Sequence, residues 1–227
     1  MRDSIYFLGS IVFKVEDTLF QVPRYHFDSN EVFSTTFSLP PPAGNDAEGS
    51  AESNPFELKG VAKADFQAFL KVLYPLTIPH SYKDITLDEW KSILLLSSMW
   101  EFQKIRKLAI DILTKSSTAV LKPADKVFLG RKFDVYDWLL HGLIEMVQGN
   151  TGPRPEDVNL LGVDICVQIW DLREECIRIQ MRGNVFSFED KVLEAFKAVF
   201  KEVTPPPPPS SLLLATFLRN SLGAGYN

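Results

Sequence analysis

The stretch IVFKVEDTLFQVP, residues 11–23, decides the reading of the first half of the chain. Ile11 to Glu16 and Thr18 to Val22 are dense in β-branched and aromatic residues, and each run is too short for an ordinary helix. Together they predict a β-hairpin that turns at Glu16-Asp17. Pro23 has no amide hydrogen to add to a ladder, so the second strand is expected to stop there. A short helical piece carrying Val32, Phe33 and Phe37 is expected next.

Working outward, the N-terminal apolar run from Ile5 to Phe13 follows Arg2 and Asp3 and has no small-x-small cleavage pattern, so it reads as a buried strand rather than a secretory signal. From Pro40 to Pro55 the chain turns to Pro, Gly, Ala, Ser, Asn and acids without an apolar period, the composition of a mobile loop. Phe56-Glu57-Leu58 alternates like a strand that ends at Gly60. Phe66, Phe69, Leu70 and Leu73 share one helical face before Pro75. Thr86-Leu87-Asp88-Glu89 has the form of a capping box and opens another helix. One apolar stripe then runs through Ile93, Leu96, Met99 and Trp100, and a second through Phe102, Ile105, Ala109 and Ile112. Two successive helices packed on a small sheet make an α+β arrangement.

Beyond about residue 120 the strand signals vanish. Pro123 suits a first helical position, and Val127, Phe128, Val135, Trp138, Leu139 and Leu143 fit helices behind it. Gly149 to Pro155 interrupts. Ile165, Ile169, Leu172, Cys176 and Ile177 mark a further helix, and Ser187 caps one more that carries Val192, Phe196, Val199 and Phe200. Pro205 to Pro209 favours an extended spacer, and Leu212 to Leu218 is too short to span a bilayer.

The motif blocks carry a resemblance. Phe13 to Arg24, Val32-Phe33, Phe37 to Pro40, Leu58 to Val61, Asp65-Phe66 with Leu70 to Pro75, and Trp90 to Ile112 resemble, in order, the strands and helices of a fungal BTB/POZ domain. Lys126 to Val135 and Trp138-Leu139 resemble the helical continuation of such chains. The resemblance covers residues 3–118 and implies a BTB/POZ-like small sheet packed with helices. A helical extension at 119–202 makes the C-terminal region all-α, and 203–227 form a Pro-rich spacer and tail, with 40–55 a flexible loop. It implies a non-catalytic scaffold or adaptor that binds other proteins, with homo- or hetero-oligomers through the BTB domain. Some members recruit partners to chromatin, and others adapt substrates to cullin ubiquitin ligases. Phe37-Ser38-Leu39-Pro40 carries no Glu of the kind found in cullin-binding members. Few residues precede the hairpin, so the dimer that exchanges an N-terminal strand and helix is not expected. Phe33, Phe37 and Leu39 are the candidate partner interface.

Composition and missing motifs narrow the function further. Hydrophobic residues form 45% of the chain, including 17 Phe, enough to offset the entropy of ordering it. A net charge of −5 argues against a direct nucleic-acid binder, and Lys104, Arg106 and Lys107 read as a solvated face. Cys166 and Cys176, ten residues apart in one helix, stand about 15 Å apart along the axis, out of disulfide reach. That fits an intracellular protein of cytoplasm or nucleus with no membrane span. His26, His80 and His141 lack metal-ligand spacing, and no phosphate loop, nucleophile elbow or dinucleotide fingerprint occurs; Gly223-Ala224-Gly225 has no helix after it. Asp134 and Asp137 read as solvated acids. Trp90, Trp100, Trp138 and Trp170 read as core anchors. Catalytic residues, cofactor and metal are therefore not expected, and an enzyme whose site forms only in three dimensions is the remote alternative.

Overall fold

A computed structural model describes residues 1–38, 47–78, 81–115 and 120–204. The chain is mixed α/β, mostly helical, and divides into two compact units, Met1–Val120 and Leu121–Asn227.

The first unit is built on the expected hairpin. β1 (Ser10–Val15) pairs antiparallel with β2 (Thr18–Pro23), with Val15 opposite Thr18 across the two-residue turn. Glu16 takes the left-handed conformation in that turn, with φ 52°. β1 is buried at Ile11, Val12, Phe13 and Val15, so both its faces are covered, whereas β2 alternates as an edge strand does. Two short helices follow, α1 (Tyr25–Asp28) of one turn and α2 (Glu31–Phe37) of two. β3 (Phe56–Glu57) then pairs parallel to β1, giving the order β2-β1-β3.

The segment expected to be a mobile loop is in part fastened to this sheet. Leu39 to Asp46 lie outside the described residues. Beyond them, the Gly49 carbonyl accepts the Val12 amide at 2.9 Å, and the Gly49 amide donates to the Asn54 carbonyl at 2.7 Å. Gly49 has φ 79°, and a Cβ there would stand 2.7 Å from the Ile11 side chain, so only glycine passes.

α3 (Lys63–Leu73), α4 (Leu87–Met99) and α5 (Gln103–Lys115) pack in succession and close the core. α4 starts at the capping box: Thr86 Oγ1 accepts from the Glu89 amide, and Glu89 Oε2 accepts from the Thr86 amide at 2.8 Å. Phe13 is the hub of the interior. Its ring lies 4.7 Å from Phe27, 5.5 Å from Phe66, 5.9 Å from Phe56 and 6.1 Å from Phe33, mostly edge-to-face. Such pairs each add about 0.5–1.5 kcal/mol beyond the area they bury. The expected α5 stripe holds at Phe102, Ile105 and Ala109, which pack inward, but at its end Leu113 is buried in place of Ile112.

The second unit is all-helical among its described residues. It comprises α6 (Pro123–Lys132), α7 (Tyr136–Gln148), α8 (Pro155–Leu161), α9 (Val163–Met181), α10 (Phe188–Ala195) and α11 (Lys197–Phe200). Pro123 occupies the expected first-turn position of α6. α6 and α7 approach closely at Gly130, where a Cβ would lie 2.6 Å from the Leu139 nitrogen. The core gathers Val127, Leu139, Leu143, Ile169, Val192 and Phe196 and takes in Val203. The chain just beyond is held by Asp134, whose carboxylate accepts from the Thr204 amide at 2.6 Å and the Thr204 hydroxyl at 2.9 Å. Asp134 is thus an anchor with φ 54° rather than a merely solvated acid.

Arg173 crosses this unit almost fully buried. Its Nη1 lies within hydrogen-bond distance of the carbonyls of Met146, Val147 and Gly149, the open end of α7. Cys166 and Cys176 are free and buried on the inner side of α9. Packing raises both thiol pKa values, with Asp157 adding to the rise at Cys166 and Glu175 at Cys176. No helix among the described residues is long and apolar enough to cross a membrane.

Candidate functional site

The three expected interface residues part company. Phe33 is 3% exposed, its ring 4.8 Å from Phe27 and 5.4 Å from Trp100, so it belongs to the core. Phe37 is half-buried, packed on Phe33 and Phe56, with the Arg24 guanidinium 5.3 Å above its ring. Leu39 lies outside the described residues. Phe33 and Phe37 stand one helical turn apart on a single face, and in so short a helix that face is drawn onto the hairpin. Only Phe37 of the described pair offers surface.

Beside α2 the first unit opens into a groove of about 590 Å3. Leu73, Phe102 and Ile105 supply its apolar lining, and His26, Ser29, Glu31 and Lys104 are among its polar wall. Asn30 holds the groove's two sides in place. Its Oδ1 accepts the Phe33 amide and caps α2, while its Nδ2 donates to the Trp100 carbonyl at 2.8 Å, at the corner between α4 and α5. Glu101, with φ 57°, turns that corner. Tyr74 donates its hydroxyl to the Pro23 carbonyl, tying the end of α3 to the end of β2. Burial lifts that phenol pKa far above its usual range, with Tyr25 and Asp28 adding to the effect.

Burial also lowers the His26 pKa, favouring the neutral ring. The neighbouring Ser29 hydroxyl donates to the main-chain carbonyl of His26 at 3.1 Å rather than to its imidazole. That pairing is a turn contact and does not activate a nucleophile.

No family model matches the chain, and no curated protein matches it. Among the described residues no three His, Cys, Asp or Glu side chains gather as metal ligands would. His80 lies outside the described residues, and His141 Nδ1 sits 2.7 Å from the Asp137 carbonyl within α7. Of the basic stretch, Lys104 and Lys107 are exposed and Arg106 is half-buried.

The N-terminal run departs most from expectation. Ile5, Tyr6, Phe7 and Leu8 are between 50% and 82% exposed, and the strand begins only at Ser10. β2 runs out at Pro23, and the Arg24 amide donates to the Gly9 carbonyl, so residues before Gly9 have no partner strand. Asp3 instead accepts from the Ile5 and Tyr6 amides at 2.9 and 2.7 Å, which folds the run into a turn and lowers the Asp3 pKa. Arg2 covers Phe7, its guanidinium 4.4 Å from the ring. The apolar signal was present in the sequence, but the absence of a pairing partner depends on where β2 ends. Asn30 just before Glu31 was likewise a legible cap.

Proposed function

We propose that this chain is a non-catalytic protein-interaction module of the BTB/POZ type, acting as an adaptor whose first unit holds partner polypeptides. The observation that carries this reading is the exposed run Ile5-Tyr6-Phe7-Leu8, four consecutive large apolar side chains left in water. Contiguous apolar surface of this kind is retained where another protein covers it. The groove under Asn30 and the half-buried Phe37 supply further apolar surface on the same unit.

The partner suited to these features is a polypeptide that presents an apolar strip. A photoreactive phenylalanine analogue at position 7 of the full chain, irradiated in the source cell, is expected to give a discrete protein adduct. The adduct should fall at least tenfold when Ile5→Asp is added, with far-UV circular dichroism unchanged. Absence of any protein adduct, or turnover of a small molecule by the purified chain, would remove this reading.

A further inference from the structure

We propose that Thr204 is a phosphorylation site for a proline-directed protein kinase, and that the added phosphoryl group unlatches the end of the second unit. The site is independent of the adaptor reading.

Thr204-Pro205 is the one place in the 227 residues where Ser or Thr precedes Pro. A kinase pocket that leaves the amide after the acceptor residue without a partner admits Pro there, which has no amide hydrogen, and disfavours the rest. Thr204 is exposed and lies outside helix and strand, and a following Pro biases its backbone towards extended conformations.

The position of the hydroxyl gives the modification its effect. At the corner between α6 and α7, Thr204 Oγ1 donates to Asp134 Oδ2 at 2.9 Å, and the Thr204 amide donates to Asp134 Oδ1 at 2.6 Å. Val203, just before, is 3% exposed and seated in the core of the unit. The amides of Glu202 and Val203 donate to the Val199 and Phe200 carbonyls. Asp134 therefore latches the last buried side chain of the described residues.

In the transfer, Thr204 Oγ1 attacks the γ-phosphorus of a nucleoside triphosphate held by the kinase. The bond from that phosphorus to the β–γ bridging oxygen breaks, nucleoside diphosphate leaves, and the hydroxyl proton passes to the kinase's catalytic carboxylate. Oγ1 is left as an ester oxygen with no proton to donate, and it carries a group of charge about −2 against the Asp134 carboxylate. Like charges meet at hydrogen-bond distance with the donor between them gone, and the latch opens. The cations on this corner are engaged elsewhere: Arg131 faces Glu202 at 3.4 Å, and Lys132 lies 5.3 Å from the centre of the Phe133 ring. Because Val203 is buried beside it, Thr204 meets the kinase when the end lifts, and the phosphate holds that lifted state.

The full chain incubated with a proline-directed kinase and magnesium ATP tests the proposal, the modified residue being read by mass spectrometry. Thr204 is expected to take the phosphate, and Pro205→Ala should lose it. Hydrogen exchange of the Glu202, Val203 and Thr204 amides should then quicken about tenfold, while amides in the middle of α7 keep their rates. Asp134→Asn keeps an oxygen for the Thr204 amide, tolerates the left-handed backbone at φ 54° and removes the charge. Phosphorylation of that variant should therefore raise exchange by no more than about threefold. A full chain whose Thr204 stays unmodified would overturn the proposal, as would a Pro205→Ala variant labelled equally fast. Exchange unchanged in the phosphorylated wild type would also overturn it, and so would an equal rise in Asp134→Asn.

Discussion

Asn30 joins two segments seventy residues apart with one amide group, capping α2 with its oxygen and holding the α4–α5 corner with its nitrogen. Asn30→Ala should cost about 2–3 kcal/mol, about 1 for the cap and the remainder for a buried Trp100 carbonyl left without a donor. Asn30→Asp retains the cap oxygen and should still lose the Trp100 bond. Urea denaturation of the two variants separates the contributions, and equal losses would show that the cap contributes nothing. The groove beside α2 depends on the same side chain, so both variants should also loosen its walls. The cap at Asn30 went unread although Asn is a common capping residue, and the second bond has no local sign at all, because nothing near Asn30 announces a carbonyl at residue 100.

Local signals carried most elements, since caps, prolines and apolar periods act within a few residues. The hairpin, α3, the start of α4, Pro123 in α6 and the Ser187 cap of α10 all follow from chemistry confined to one or two turns. What escaped is non-local. The parallel pairing of β3 with β1 has no signature in Phe56-Glu57, and the register of α5 is set by neighbours that select Leu113 over Ile112. The inward turn of Phe33 and the outward turn of Trp170 depend on which side of a helix meets the rest of its unit. At the start of α4 the chemistry predicts a pH dependence. Glu89 has its pKa below the ordinary 4.5, first through its hydrogen bond with Lys71 and then through the Thr86 amide. A carboxyl with a lowered folded pKa stabilises fully above its unfolded value, and that contribution is lost as pH falls through the folded value. Urea midpoints of the wild type should therefore fall between neutral pH and about pH 3, and Glu89→Gln should begin lower and flatten that limb. Thr86→Ala should cost about 1 kcal/mol at neutral pH. An acid limb unchanged in Glu89→Gln would place its cause elsewhere.

Across the molecule, apolar burial falls into two separate clusters, and two of the four tryptophans lie in each of the two units. Trp90 and Trp100 report on the first unit, Trp138 and Trp170 on the second. Leu143, fully buried in the second cluster, should cost about 3–5 kcal/mol as Leu143→Ala. The loss should appear in the emission of chains that keep only Trp138 and Trp170. An equal shift in chains keeping only Trp90 and Trp100 would mean that the clusters melt as one. The two thiols on the inner side of α9 give the second unit an internal gauge of its own integrity. While that helix stays seated, Cys166 and Cys176 are shielded from electrophiles and held in the protonated, sluggish form. Labelling by a maleimide then waits on the helix lifting away, so its rate counts those openings directly, with no engineered probe.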